Sequence, residues 1–229
     1  IGARCTIHAF DLPFHGESPA PQGRVDAPFP PAEFADYFAA FAQHIGAEKL
    51  TLFGYSLGGR VALTLLQHLP QRIGKAFLIA PDGLKKRPWY RGLADFGIGR
   101  AAYGVFIRYP APVHAVINGL RAVGLLHERM HRFLIGQSDT RAKRELMRDV
   151  WLTFRALEPD LPTVAATLER LDLPVQLVFG ERDRVIKPAF GKRFTALAPQ
   201  QVRTRLLPTG HVALVEELGQ WLAQEPLDR

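Results

Sequence analysis

The apolar run Leu50-Thr51-Leu52-Phe53 leads directly into Gly54-Tyr55-Ser56-Leu57-Gly58, and a helix-forming run, Gly59-Arg60-Val61-Ala62-Leu63, follows at once. A buried strand that turns sharply into a helix leaves its turn residue in a strained backbone conformation, and the pattern asks for almost no side chain on either flank. Gly54 and Gly58 meet that demand. A serine at such a turn projects its hydroxyl beyond the sheet edge. The free N–H groups and positive dipole end of the new helix then face any negative charge that forms beside it. Five residues are a weak pattern alone, because an ordinary glycine-rich turn can show them, so the rest of the chain decides.

A chain of 229 residues with 47% hydrophobic content buries a full core as one domain, or as one domain with an insertion. No apolar run reaches the roughly 18–20 residues that span a bilayer. The single cysteine, Cys5, excludes an intrachain disulfide framework and fits a reducing compartment, taken here as the cytoplasm. Its apolar neighbours make it an expected buried, inert thiol.

The rhythm along the chain is that of an α/β protein with a mostly parallel, doubly wound sheet. Arg4–Phe10 reads as a strand, followed by the polar loop Asp11–Pro19. Phe34, Phe38, Phe41 and Ile45 give one apolar helical face, the elbow helix runs to Leu69 and stops at Pro70, and Lys75–Ala80 reads as a strand. From Leu84 to about Leu171 there are only helical segments. One of them is capped near Ser138 or Asp139, carries Leu146, Val150, Phe154 and Leu157 on one face, and has Arg141, Lys143, Arg144 and Arg148 at its other positions. After Pro174 the alternation returns, with strands at Val175–Phe179 and Val202–Leu207 and helices at Ala189–Leu197 and Val212–Gln224. The organisation read from this is a core of residues 1–83 and 172–229, with a helical insertion at 84–171. The charge follows the same division. Net charge is +7, and between Leu84 and Glu158 there are fourteen Lys/Arg against six Asp/Glu. A solvated helical face accounts for such a segment, as does attraction to an anionic substrate or membrane surface. No nucleic-acid-binding module accompanies it.

Two more residues fall where the elbow needs them. The strand at 175–179 ends in Gly180-Glu181-Arg182-Asp183, and the strand at 202–207 ends in Pro208-Thr209-Gly210-His211. Carboxyl ends of parallel strands share one side of a sheet, so Ser56, Asp183 and His211 are expected at one rim. Ser56 needs a base, His211 can take and return a proton near neutral pH, and Asp183 would fix the imidazole tautomer.

With Asp11-Leu12-Pro13-Phe14-His15-Gly16-Glu17-Ser18, Gly54–Gly59, and Gly180–Asp183 with Gly210-His211, the sequence resembles the alpha/beta-hydrolase family from near residue 4 to its end. The resemblance implies a Ser56–Asp183–His211 catalytic triad and a helical cap or lid at the insertion. It places the Asp11–Ser18 loop near the mouth of the active site, where Phe14 replaces the family's usual glycine; lining the pocket and packing are the two roles open to Phe14. Tyr55 is a second pocket candidate. In the family a strand preceding the one at Arg4–Phe10 lies centrally in the sheet and ends in a His-Gly loop that supplies an oxyanion donor. This sequence has no such segment, so only the Leu57 backbone N–H is expected as a donor, and the chain reads as an N-terminally truncated member. The expected activity is that of a serine esterase, lipase-like in favouring an apolar acyl group, on a small-molecule ester. Carbon–carbon bond hydrolysis, acyl transfer by the same triad, or a non-catalytic binding role are the alternatives. No metal or organic cofactor is implied, and the sequence sets no oligomeric state.

Overall fold

A computed structural model of the chain describes residues 5–85 and 96–224. The chain folds into two units. One comprises Ile1–His8, Pro30–Lys86 and Leu157–Arg229; the other comprises Ala9–Phe29 and Arg87–Ala156.

The first unit is built on a parallel sheet of four strands in sequential order: β1 (Leu50–Tyr55), β2 (Ile73–Ile79), β3 (Val175–Gly180) and β4 (Val202–Leu207). Phe53 of β1 sits opposite Phe77 of β2, and the two rings stack at 4.6 Å. Helices flank the sheet: α1 (Pro31–His44), α2 (Leu57–His68), and, in chain order after the four described helices of the second unit, α7 (Leu161–Leu171), α8 (Lys192–Leu197) and α9 (Leu214–Gln224). The second unit contributes α3 (Gly97–Arg108), α4 (Ala111–Ala122), α5 (Glu128–Gly136) and α6 (Arg141–Thr153).

Every residue of α2 from Val61 to Leu66 is buried. A helix apolar on all sides belongs inside a core rather than on its rim, and Leu63 and Leu66 join Leu78, Leu177, Val178 and Phe179 there. Pro70 stops α2, as the sequence predicts, and opens a single 3-10 turn. The sequence pattern groups α7 with the helical insertion; Leu161, Val164, Ala165 and Leu168 bury in the sheet core instead. Its apolar period identifies a buried face but not the core that receives it. Asp160 caps it by accepting from the Thr163 N–H at 3.1 Å.

The expected strand at Arg4–Phe10 does not form. Arg4 lies outside the described residues, and residues 5–10 are irregular. A strand exists only through its ladder, and no described segment pairs with this one. His8 instead packs edge-on against Phe41 of α1 at 5.3 Å, and Cys5 is exposed rather than buried. Phe53 of β1 is 47% exposed. At the other edge β4 carries Arg203 and Arg205 among its exposed residues, charges that discourage edge-to-edge pairing.

Within the second unit, the Arg155 guanidinium donates to the carbonyls of Val25 and Asp26, both at 2.7 Å, and Phe29 packs on Phe154. These bonds tie the proline-rich segment to the helices. The cap of α6 is Thr140, which accepts from the Lys143 N–H at 3.2 Å, and not Ser138 or Asp139. Arg144, expected on a solvated face of α6, is 5% exposed. It donates to the carbonyls of Ile107 at 3.1 Å and Ser138 at 2.6 Å. Carbonyls at a helix end have no intrahelical donor, and a buried arginine supplies one here. Leu146, expected on the apolar face, is 46% exposed. In the Asp11–Ser18 loop, the Asp11 carboxylate accepts the Glu17 N–H at 3.2 Å and Phe14 stands at φ 69°, a left-handed conformation that normally selects glycine.

Tyr103 of α3 is 8% exposed, and its hydroxyl has no hydrogen-bond partner among the described residues. Burial, only partly offset by Arg148 and Arg144, pushes this phenol up to about 12 from 10.0. A raised folded value means that its share of stability is intact below pH 10 and is lost as pH rises from 10 towards 12. Tyr103→Phe is therefore expected to preserve or raise the urea midpoint at pH 7, because an unsatisfied buried group is removed. The substitution should also flatten the decline in stability above pH 10.

Candidate active site

Ser56 links β1 to α2 with φ 50° and ψ −112°, a backbone state that costs on the order of 1–3 kcal/mol for a residue with a side chain. Four hydrogen bonds hold it. Its N–H donates to Ile79 O at 3.0 Å, extending the β1–β2 ladder by one step. Its carbonyl accepts from Gly59 at 2.9 Å, Arg60 at 3.4 Å and Asp82 at 2.9 Å. The Arg60 guanidinium is paired with the Asp82 carboxylate, which also accepts the Gly83 N–H. Sequence reading missed this clamp; both residues lie close to the motif, but nothing in their spacing announces a pair.

The glycine requirement also differs from expectation. A Cβ on Gly54 would lie 2.5 Å from Gly58 O and 2.9 Å from Gly59 Cα, and one on Gly59 would overlap Pro81. A Cβ on Gly58 would meet nothing within 4 Å. The turn therefore depends on Gly54 and Gly59, and Gly58 is an open helical position.

Asp183 and His211 follow β3 and β4, and the backbone joins their loops. Glu181 N–H donates to Leu207 O at 2.9 Å, and Arg182 N–H to Thr209 O at 3.0 Å. Gly180 is required for this approach, since a Cβ there would sit 2.6 Å from Thr209 O. The Asp183 side chain is fully buried and His211 Nδ1 lies 2.7 Å from its Oδ2. Its Oδ1 accepts the N–H groups of Val185 at 2.8 Å and Ile186 at 2.9 Å. Facing a carboxylate acceptor, Nδ1 carries the hydrogen, which leaves Nε2 as the acceptor nitrogen.

Tyr55 is drawn into the same cluster. Its hydroxyl donates to the His211 carbonyl at 3.0 Å, and the two rings lie 5.1 Å apart. Burial first, and then the charge of Asp183, push its phenol above the ordinary value, which keeps it protonated as a donor. Leu57 is the first residue of α2, so its N–H has no intrahelical acceptor. The structure thus brings Asp183, His211 and Tyr55 into contact and sets Ser56 at the same carboxyl-end rim of the sheet. A direct Ser56–His211 hydrogen bond is not among the contacts of the described residues. Phe14, half-buried, belongs to the other unit.

Residues 2–218 match the alpha/beta hydrolase fold family, and the chain belongs to that family. Over 209 residues it is 23% identical to the uncharacterized hydrolase YugF of Bacillus subtilis, covering 90% of this chain and 73% of that one. It is 28% identical over 201 residues to an uncharacterized protein of Mycobacterium tuberculosis, covering 81% of this chain and 56% of the other. Among solved structures, a thermophilic esterase from Thermogutta terrifontis superposes with a TM-score of 0.60 at 20% identity, covering 93% of this chain and 78% of its own.

Opposite outcomes are expected at the two glycines after Leu57. Gly59→Ala must displace Pro81 and is expected to lower stability by about 1–3 kcal/mol. Gly58→Ala should be neutral or stabilising by up to about 1 kcal/mol, as alanine is the better helix former. Urea denaturation of both variants checks the difference.

Proposed function

We propose that the chain is a serine hydrolase that cleaves a carboxylic ester with an apolar acyl group. The observation that carries this reading is the strained Ser56 at the sheet rim onto which the buried Asp183–His211 pair also opens. Ser56 Oγ attacks the ester carbonyl as its proton passes to His211 Nε2. Asp183 holds the other ring nitrogen and stabilises the imidazolium without taking the proton. The tetrahedral oxyanion is met by the Leu57 N–H at the positive end of α2. Collapse expels the alcohol, which takes the proton from Nε2 and leaves an acyl-Ser56. Water, deprotonated by Nε2, then attacks the acyl carbon, and the acid departs as Ser56 recovers its proton. Tyr55 is a positioning residue that holds the His211 backbone. The second unit, helical and basic, corresponds to the inserted cap that the family resemblance implies. Family membership supports hydrolysis, and the fold shared with an esterase supports ester substrates. Product analysis distinguishes hydrolysis from acyl transfer by the same acyl-enzyme.

A panel of p-nitrophenyl esters of increasing chain length is expected to show turnover that rises with acyl length and disappears in Ser56→Ala. Flat rates across the series would remove the apolar-acyl assignment. Asp183→Asn keeps an acceptor for Val185 and Ile186 but presents an N–H to the imidazole and reverses its tautomer. It is expected to lose about 10⁴ in kcat with little change in stability. Asp183→Ala should additionally cost about 1–3 kcal/mol for each orphaned N–H.

A further inference from the structure

Helix α4 is built the wrong way round for water. It buries no side chain; His114 and Ile117 are half-buried, and several of its polar residues bond to neighbouring residues of the unit. Asn118 Oδ1 lies 2.7 Å from His131 Nε2, Arg121 pairs with Glu128, and His114 Nε2 lies 3.0 Å from the buried Ser138 hydroxyl. The apolar residues Val113, Val116 and Leu120, at helical spacing, are 40%, 63% and 40% exposed. Helix α3 shows a comparable stripe. Ile98, Val105 and Tyr109 share one side at 87%, 61% and 59% exposure, while Tyr103 and Ile107 bury the opposite side. A soluble helix points its apolar stripe at the core, and exposed stripes of large apolar side chains mark a contact with another phase or partner.

From this arrangement we infer that the helical unit docks on the surface of an anionic lipid bilayer, with the outward faces of α3 and α4 in the interface. Charge selects this occupant. Between Phe96 and Ala156 there are ten Lys/Arg against four Asp/Glu, and a cavity of ≈ 460 Å³ between α3 and α6 is lined by Arg108, Arg141 and Arg148 against one carboxylate, Glu145. Arg141 uses Nε on Glu145 at 2.8 Å, and Arg148 uses Nε on Asp149 at 2.7 Å. Among the described residues these Nε bonds are the hydrogen bonds of the two guanidinium groups, and a guanidinium's further N–H groups suit phosphate oxygens. Two copies of so basic a surface repel one another, whereas an anionic leaflet attracts each arginine near it. Twelve residues of α4 extend about 18 Å against a hydrocarbon core of about 30 Å, so the helix lies along the interface rather than crossing it. No described helix is long and apolar enough to cross a membrane.

Cosedimentation of the full chain with vesicles tests this without any need for turnover, so it succeeds or fails independently of the ester chemistry. Binding to phosphatidylcholine vesicles containing phosphatidylglycerol is expected to exceed binding to pure phosphatidylcholine by about tenfold or more, and to weaken as salt is raised. Val116→Asp/Leu120→Asp should lower it by a further tenfold or so, and Arg141→Ala/Arg148→Ala by a comparable factor. A bimane label on Val116→Cys, in a Cys5→Ser background, should shift to the blue on anionic vesicles; this readout does not depend on the acidic variant folding. Equal binding to both vesicle types, no binding to either, or an unshifted label would overturn the proposal. So would a dimer in sedimentation equilibrium that Val116→Asp/Leu120→Asp dissolves.

Discussion

The backbone of Ser56 is the constraint from which the rest of the site follows. At φ 50° and ψ −112° it occupies a conformation that persists only where the surroundings over-determine it. The surroundings here are specific. Ile79 O takes its N–H, three donors converge on its carbonyl, the start of α2 leaves Gly54 no room for a Cβ, and Pro81 leaves none at Gly59. Strain at one residue is thus fixed by a parallel ladder on one side and a helix N-terminus on the other. The same turn starts α2 at Leu57, the residue after the serine, whose N–H has no intrahelical acceptor.

The histidine is positioned by a separate device. Among the described residues, the hydrogen bonds to the Asp183 carboxylate come from its own loop and from His211. These bonds hold the buried carboxylate in place, so the imidazole inherits its orientation from the β3 loop. Two backbone bonds between the β3 and β4 loops, together with the Tyr55 hydroxyl on the His211 carbonyl, bring the elbow strand into the same assembly. Parallel pairing of β1 through β4 accounts for the convergence of residues so distant in sequence.

Much of this is legible without coordinates, for physical reasons. β4 has the predicted bounds, β3 extends one residue past its prediction, and Pro70 ends α2 where a missing N–H must end it. What the sequence misplaces depends on partners rather than on composition. Cys5–Phe10 has strand character but no ladder. Arg144 looks like a surface cation, yet it satisfies helix-end carbonyls that no sequence pattern reveals. Gly58 and Gly59 are indistinguishable as letters, and only the approach of Pro81 separates them. Tyr55 is legible as a neighbour of the serine, but its bond to the histidine backbone is not. The link from Arg155 to the carbonyls of Val25 and Asp26 assigns the early proline-rich loop to the helical unit. Bonds over that range leave no trace in local periodicity.

The proposed mechanism requires Ser56 to be an activated nucleophile rather than a turn residue. The most direct measurement is the reaction of the native protein with an activated fluorophosphonate, with the adduct located by mass spectrometry. Activation by the assembly described here predicts a single stoichiometric adduct on Ser56, abolished in Ser56→Ala and slowed strongly when His211 is replaced by alanine. A native protein that takes up no label, or takes it up at the same rate in Ser56→Ala, would contradict it.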